Sequence, residues 1–195
     1  CKLLSRMKTQ DPLLKSFNLK HLYLKNRIIS TSHEPAYSVN GLPKERYLLY
    51  HKEKAKGGIA MTMIGGSTLV SPDSPPVFGN LYAGNDNIIP YFQKISETVH
   101  SYKSAIMCQI THLGRRSVSN AGDWLPIVAP SCVREPAHRG FPKIAEGSDI
   151  RRIVKDYGEA AKRCKEGGLD GVEIEAYGHL MDSFWSPRTN LRKDK

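Results

Sequence analysis

No run of about 18 apolar residues occurs in the chain, so no membrane-spanning helix is predicted. The first residues, CKLLSRMKTQDPLLKSF, hold no apolar stretch ending in a small-residue cleavage site, so no secretory signal is read there. Cysteine is scarce. Cys1, Cys108, Cys132 and Cys164 form no CxxC pair, and no histidine stands at zinc-finger spacing from them. A disulfide scaffold and a structural zinc are therefore not expected, and no metal ligands are assigned. Cys108 lies in an apolar run and Cys164 on a helical apolar stripe, as expected of reduced, buried thiols in a cytoplasmic protein. Internal repeats and low-complexity tracts are also missing.

What is present suits one sizeable core. The chain has 195 residues, 39% of them hydrophobic, and its charged fraction of 25% is that of an ordinary globular domain. The net charge of +10 is spread along the chain, with Arg188, Arg192, Lys193 and Lys195 its nearest approach to a cluster. No aromatic residues interleave with these cations, so they read as solvated surface rather than a nucleic-acid or membrane footprint. Nucleic acid and membranes are therefore not expected partners.

The order of elements is an alternation. KNRIISTS (25–32) reads as a strand, and PKERYLLYHKEKAKGG (43–58) as a helix with a proline start and a glycine stop. IAMTMIGGS (59–67) is a buried strand ended by glycines. NDNIIPYFQKISETVHSYK (85–103) puts Ile88, Phe92, Ile95, Val99 and Tyr102 on one helical face, and SAIMCQITH (104–112) is another buried strand. The helix over 148–168 carries an apolar stripe of Ile150, Ile153, Val154, Tyr157, Ala161 and Cys164, with Ser148 or Asp149 as its cap. LDGVEIE (169–175) is the fourth core strand, and residues 16–25 suggest a short hairpin ahead of the first.

Continuous apolar strands alternating with amphipathic helices imply a parallel sheet with helices outside. A doubly wound sheet would carry a glycine-rich turn after its first strand; the turn here is STSHEPAY. A (β/α)₈ barrel fits better, but it takes eight strands and about 250 residues. The expected fold is thus α/β, the N-terminal half of a TIM barrel, about four βα units preceded by the hairpin. Residues 1–10 read as a poorly ordered leader and 11–195 as the partial barrel. The proline-rich stretch 113–147 would run over the C-terminal ends of the strands, where such enzymes keep their sites.

Four motifs stand in sequence on this frame: LKNRIISTSH, GLPKERYLLYHKEKAKGGIAMTMIGGS, CQITHLGRRS and GLDGVEIEAYGHLMDSFWSPRTNLRKD. Together they resemble the Old Yellow Enzyme family of NADH:flavin oxidoreductases. Within it, the resemblance is nearest to the branch of trimethylamine and dimethylamine dehydrogenases, N-methylproline demethylase and 2,4-dienoyl-CoA reductase. It covers the chain from about Asp11 to Lys195. It implies a TIM barrel with FMN at its C-terminal mouth, and hydride transfer between an organic substrate and the flavin, with NAD(P)H as a possible reductant.

By that resemblance the flavin contacts are the backbone of Thr31, Ser32 and His33, with Glu34 beside them, Gly66, and the amide of Gln109. Read from the residues alone, Gly66 turns the chain and Gln109 satisfies a buried backbone group. Glu34 departs from the family, whose members often carry Thr or Cys there. A covalent tether at this position is excluded for want of a thiol, and a carboxylate could pair with a substrate ammonium. The loop after the fourth strand departs too. The family pattern E-I-H-x-A-(H/N)-G-Y-L-L-(D/N)-Q-F is here EIEAYGHLMDSF. Tyr177 stands at the place of the second carbonyl-polarising residue and His179 at that of a proton-donating Tyr. Glu175 stands at or beside the first His. Tyr177, His179 and Glu175 are the candidate catalytic residues, and they suit an amine better than an enone. His112, Gly114 and Arg115 read as structural, with Thr111 in place of an aromatic leaving more room above the flavin.

The resemblance implies FMN phosphate contacts beyond the fourth strand, and an iron–sulfur cluster only in a further C-terminal part. The functional expectation is an FMN-dependent oxidoreductase acting on an N-methylated amine. The alternatives are an NAD(P)H-dependent ene or dienoyl-CoA reductase, and a non-catalytic half-barrel that pairs with a partner, a homo-oligomer included.

Overall fold

The computed structural model describes residues 11–118 and 125–194, so the leader expected over 1–10 lies outside the described residues. The chain opens with the antiparallel hairpin of β1 (Phe17–Leu19) and β2 (Leu22–Leu24), as its alternating sequence suggests. Four strands then form one parallel sheet in the order β3 (Ile29–Ser30), β4 (Met61–Leu69), β5 (Ala105–Thr111) and β8 (Gly171–Ile174). The connections carry α1 (Glu45–Lys56), α2 (Ile89–His100) and α3 (Gly147–Glu166). This is the βα alternation expected from the sequence, in which each parallel neighbour is reached through a crossover helix.

Side-chain alternation along the strands sorts the two faces. Ile64, Ile106, Cys108 and Ile110 pack with Tyr47 and Ala55 of α1, Phe92, Ile95 and Val99 of α2, and Ala160 and Cys164 of α3. Full burial of each large apolar side chain here stabilises the fold by about 1.5–3 kcal/mol. The residues between them, Met61, Met63, Ala105 and Met107, face the other way and pack on Leu22 and Leu24 of the hairpin. The hairpin thus covers the N-terminal end of this inner face, and the C-terminal end is left to the loops.

α1 ends as its sequence suggests. It stops at Gly57, and Gly58 takes φ +97°, a backbone that glycine adopts freely. The cap of α3 differs from expectation. The residue ahead of the helix is Glu146, and Asp149 acts from inside the first turn, its Oδ2 accepting the Glu146 N–H at 2.9 Å and Lys143 Nζ at 2.7 Å. Val154, expected on the buried stripe of α3, is 66% exposed. With Ile174 of β8 and Trp185 of α4 (Leu180–Trp185) it lines an apolar groove at the β8 edge of the sheet.

β4 also runs past the glycines expected to end it. Its pairing with β5 shifts between Ile64 and Thr68, and Gly65, Gly66 and Ser67 adopt φ of +90°, +120° and +74°. This bulge re-aims three residues before pairing resumes at Thr68 and Leu69. The long connection after β5 holds a short parallel pair, β6 (Val128–Ala129) and β7 (Lys143–Ile144), that its prolines did not suggest. No helix among the described residues is long and apolar enough to cross a membrane.

Candidate active site

All four core strands run the same way, so their C-terminal ends share one rim, and the loops there enclose a cavity of about 320 Å³. Glu34 and Ala36 come from the loop after β3, and Gly66 and Ser67 from the β4 bulge. Phe78 and Asn80 belong to the loop after β4, Leu113 and Arg116 follow β5, and His179 follows β8. This is where parallel α/β folds place ligands.

Gly66 is required for the close approach of two of these segments. A Cβ there would lie 2.3 Å from the Glu34 nitrogen and 2.8 Å from the His33 carbonyl carbon, which no rotamer can relieve. The His33 N–H donates to the Gly65 carbonyl at 2.9 Å, and the Gly65 N–H donates to the buried Tyr47 hydroxyl at 2.9 Å. The β3 turn and the β4 bulge are therefore fixed to each other by backbone. Thr31, Ser32 and His33 contribute chain at this rim, but their side chains do not line the cavity; Glu34 does.

Gln109 sits under the bulge. Its Oε1 accepts the Ser67 N–H at 3.1 Å, and its Nε2 donates to Glu173 Oε1 at 2.6 Å. The residue-level reading of Gln109, a partner for a buried backbone group, is thus what the structure contains. A primary amide can accept two hydrogen bonds and donate two, so one lone pair and one N–H remain available.

Glu175 and His179 come together. Glu175 Oε2 accepts the Ser67 hydroxyl at 2.8 Å and lies 3.3 Å from His179 Nδ1. Thr111 Oγ1 is 3.0 Å from the same nitrogen and donates to the Glu175 carbonyl at 3.3 Å. With the Thr111 proton used there, the Nδ1–H is the donor shared by Thr111 Oγ1 and the Glu175 carboxylate. That tautomer leaves the lone pair on Nε2, which has no partner among the described residues. Burial alone would raise the Glu175 carboxyl. The hydrogen bonds from His179 and Ser67, with the charge of Arg116, instead hold it below its ordinary value.

Tyr177 is not brought to the cavity. It is 86% exposed, because Gly178 takes φ +70° and turns the chain between Tyr177 and His179. The acidic group that lines the cavity is Glu34. Burial pushes its carboxyl up to about 7, against the opposing hydrogen bonds from the Ala36 N–H at 2.8 Å and Asn80 Nδ2 at 3.4 Å.

Several participants were not singled out from the sequence. Thr111 orients His179 in addition to leaving space. Ser67 fixes Glu175. Asn80, 1% exposed, joins Glu34 to the loop after β4 by accepting the N–H groups of Val77 and Phe78 on Oδ1. Asn80 lies in a loop, and Ser67 and Thr111 are single polar residues near the ends of apolar strands, so no periodicity could have marked them. His112 and Arg115 are structural, as read: His112 Nε2 bonds buried Asp73 at 2.9 Å, and Arg115 Nη1 donates to the Arg134 carbonyl at 3.2 Å across the long loop. Arg152 on α3 completes the Asp73 site, so the loop after β4 is tied to both β5 and α3. Burial would raise the Asp73 carboxyl, but hydrogen bonds from His112 and Arg152 hold it well below the usual carboxylate range.

The model of the NADH:flavin oxidoreductase / NADH oxidase family matches residues 12–195. A probable N-methylproline demethylase of Rhizobium meliloti is 59% identical over 180 residues, which are 92% of this chain and 26% of that protein. A multifunctional alkene reductase/demethylase of Caballeronia cordobensis is 50% identical over 96% of this chain and 28% of its own length. An N,N-dimethylglycine/sarcosine dehydrogenase of Chromohalobacter salexigens is 44% identical, with 27% of its length covered. The chain therefore spans about a quarter of the length of these curated relatives. Among solved structures, morphinone reductase in complex with tetrahydroNAD superposes with a TM-score of 0.86 at 25% identity, covering 93% of this chain and 54% of that one. The Old Yellow Enzyme homologue of Zymomonas mobilis gives 0.84 at 23% identity, over 53% of its chain. The four-stranded sheet is thus part of an Old Yellow Enzyme TIM barrel.

Proposed function

The chain belongs to the NADH:flavin oxidoreductase / NADH oxidase family, and on that premise we propose that the whole protein is an FMN-dependent oxidoreductase that oxidises N-methylated amines. The observation that carries the reading is the Glu175–His179 pair at the cavity, with the Nδ1–H facing the carboxylate and the Nε2 lone pair free. Such a pair takes a proton from a cation; it is poorly built to donate one to a carbonyl acceptor.

The donor set fits a flavin. Gln109 retains one acceptor and one donor site, the Ser67 side chain is beside it, and Gly66 keeps the rim free of a side chain. Gln109, Gly66 and the backbone of Thr31, Ser32, His33 and Glu34 would hold the ring. When bound, FMN supplies the two-electron acceptor for hydride from an N-methyl carbon. His179 Nε2 takes the ammonium proton, freeing the nitrogen lone pair. Glu175 and Thr111 hold the imidazole in the tautomer that permits this. Water then adds to the substrate iminium carbon, and the collapse releases formaldehyde, the demethylated amine and a proton.

The names of the relatives from Rhizobium meliloti and Chromohalobacter salexigens support the amine reading. A second reading, reduction of an activated alkene with NAD(P)H, is favoured by the alkene reductase/demethylase from Caballeronia cordobensis. The test is anaerobic reduction of the flavin of the full-length protein. Bleaching by an N-methylated amine with stoichiometric formaldehyde supports the proposal. Bleaching by NAD(P)H alone, with no response to any N-methylated amine, overturns it in favour of the second reading.

A further inference from the structure

We propose that Arg116 is the residue that selects the substrate, by taking a carboxylate, so that the site accepts N-methyl α-amino acids rather than simple N-methyl amines. This rests on the amine-oxidising reading above and names the substrate class within it.

Arg116 closes the short 3-10 turn Gly114–Arg116 that follows β5. The turn is pinned from several directions. The Leu113 N–H donates to Ser74 Oγ at 2.9 Å, and the Gly114 N–H to His112 Nδ1 at 3.0 Å. A Cβ on Gly114 would stand 2.9 Å from the Leu180 Cα, so the turn packs directly on the start of α4. The guanidinium reaches back to the loop after β8, where Nη1 would be 3.0 Å from a Cβ on Gly178. Gly178 thus leaves the space that Arg116 occupies at the cavity wall.

A guanidinium has five N–H donors and stays charged. The Arg116 guanidinium forms no ion pair and no hydrogen bond with any described residue, and only the backbone N–H is engaged, donating to the Leu113 carbonyl at 3.1 Å. Glu175 is already engaged by Ser67 and His179, and feels Arg116 only through space. Glu34, the acid that lines the cavity, is held by Ala36 and Asn80. The cavity therefore offers a cation with unmet donors on one wall, and an imidazole lone pair and the Glu34 carboxyl on the others. A zwitterion complements both, its ammonium toward His179 and Glu34 and its carboxylate toward Arg116. A simple amine would leave the arginine without an anion.

The experiment uses the full-length, flavin-loaded protein and three ligands: N-methylproline, its methyl ester and N-methylpyrrolidine. Anaerobic binding is followed by calorimetry and flavin reduction by absorbance, in the wild type, R116Q, R116K and G178A. The wild type should prefer the acid to the ester and the amine by about tenfold to a hundredfold in KM and in dissociation constant, the size of one hydrogen bond to a charged group. R116Q should erase that preference, R116K should restore part of it, and G178A should weaken it by displacing the guanidinium. FMN content and melting temperature should match the wild type in R116Q. An acid-to-amine ratio that survives R116Q overturns the assignment. So does a variant that loses only NAD(P)H affinity, which would give Arg116 to a phosphate. If no N-methylated compound reduces the wild-type flavin, the amine reading fails by itself, and the calorimetric acid preference still decides the role of Arg116.

Discussion

Glu175 and His179 meet with Oε2 3.3 Å from Nδ1, and the Thr111 hydroxyl stands 3.0 Å from the same nitrogen. Three segments are needed for this contact: the end of β5, the loop after β8, and the β4 bulge whose Ser67 fixes the carboxylate. Replacing Glu175 by Gln keeps the shape but removes the anion that holds the Nδ1 proton. The rate of flavin reduction by an N-methylated amine in E175Q should fall by about a hundredfold or more. The FMN content should be unchanged. Stopped-flow reduction of the full-length variant measures this, and a wild-type rate would remove Glu175 from the mechanism.

Gly66 sits where two backbones touch. Its φ is +120°, and a Cβ at this position would stand only 2.3 Å from the Glu34 nitrogen, which leaves no room for alanine. G66A should cost about 2–4 kcal/mol through backbone strain and forced separation of the β3 and β4 segments. Thermal unfolding and flavin content of G66A, against the wild type, report the effect together.

The larger elements could be read from the sequence, because burial imposes a period. Phe92, Ile95 and Val99 recur on one face of α2, and Ile106, Cys108 and Ile110 on one face of β5. The same rule failed at Val154, whose apolar side chain continues the stripe onto an uncovered groove. The resemblance located Glu34, Gly66, Gln109, Glu175 and His179 near the mouth. It could not foresee that Gly178 would send Tyr177 outward, since one left-handed residue reverses what spacing implies. Arg116, Asn80 and Asp73 lie in loops, where only the three-dimensional contact gives a polar residue its role.

The Asp73 site is a second joint. Asp73 is 4% exposed and accepts His112 Nε2 while pairing with Arg152, which is itself partly in solvent. Asp73→Ala would leave the buried His112 imidazole without its anion, and Arg152 with only Asp156 at 3.2 Å and Asp149 at 3.9 Å. A loss of about 2–4 kcal/mol is expected, less than for a fully buried pair because water can reach Arg152. Denaturant unfolding of D73A checks the magnitude. A loss within a few tenths of a kcal/mol would show that the loop after β4 is held by other contacts.

The 195-residue polypeptide alone should self-associate. Ile29 on edge strand β3 is 43% exposed and Ile174 on edge strand β8 is 51% exposed. The groove lined by Val154, Ile174, Phe184 and Trp185 adds a contiguous apolar surface beside the β8 edge. Unpaired strand edges flanked by apolar side chains template association. Light scattering across a concentration series should show oligomers, and a monodisperse monomer at high concentration would contradict this.

Glu34 gives the protein a pH dependence of a defined sign. Its carboxyl titrates at about 7 in the folded chain, against an ordinary value of 4.5, chiefly because it is desolvated. Between these two values the folded protein keeps a proton that the unfolded chain has released. Stability from this group is therefore present at the acid end and is lost as pH rises toward 7. Buried His51 acts in the opposite sense, since desolvation lowers it to about 3, and the unfolded chain binds its proton first. Glu175 and Asp73, both depressed, act at more acid pH. Comparing the wild type with E34Q cancels everything except Glu34, because the amide keeps a neutral, hydrogen-bonding side chain at the same place. The melting temperature of the full-length wild type should fall relative to E34Q on going from about pH 5 to about pH 8. A constant difference across that range would mean that the Glu34 carboxylate is solvated enough to ionise at its ordinary pH, and that no proton is stored at the cavity wall.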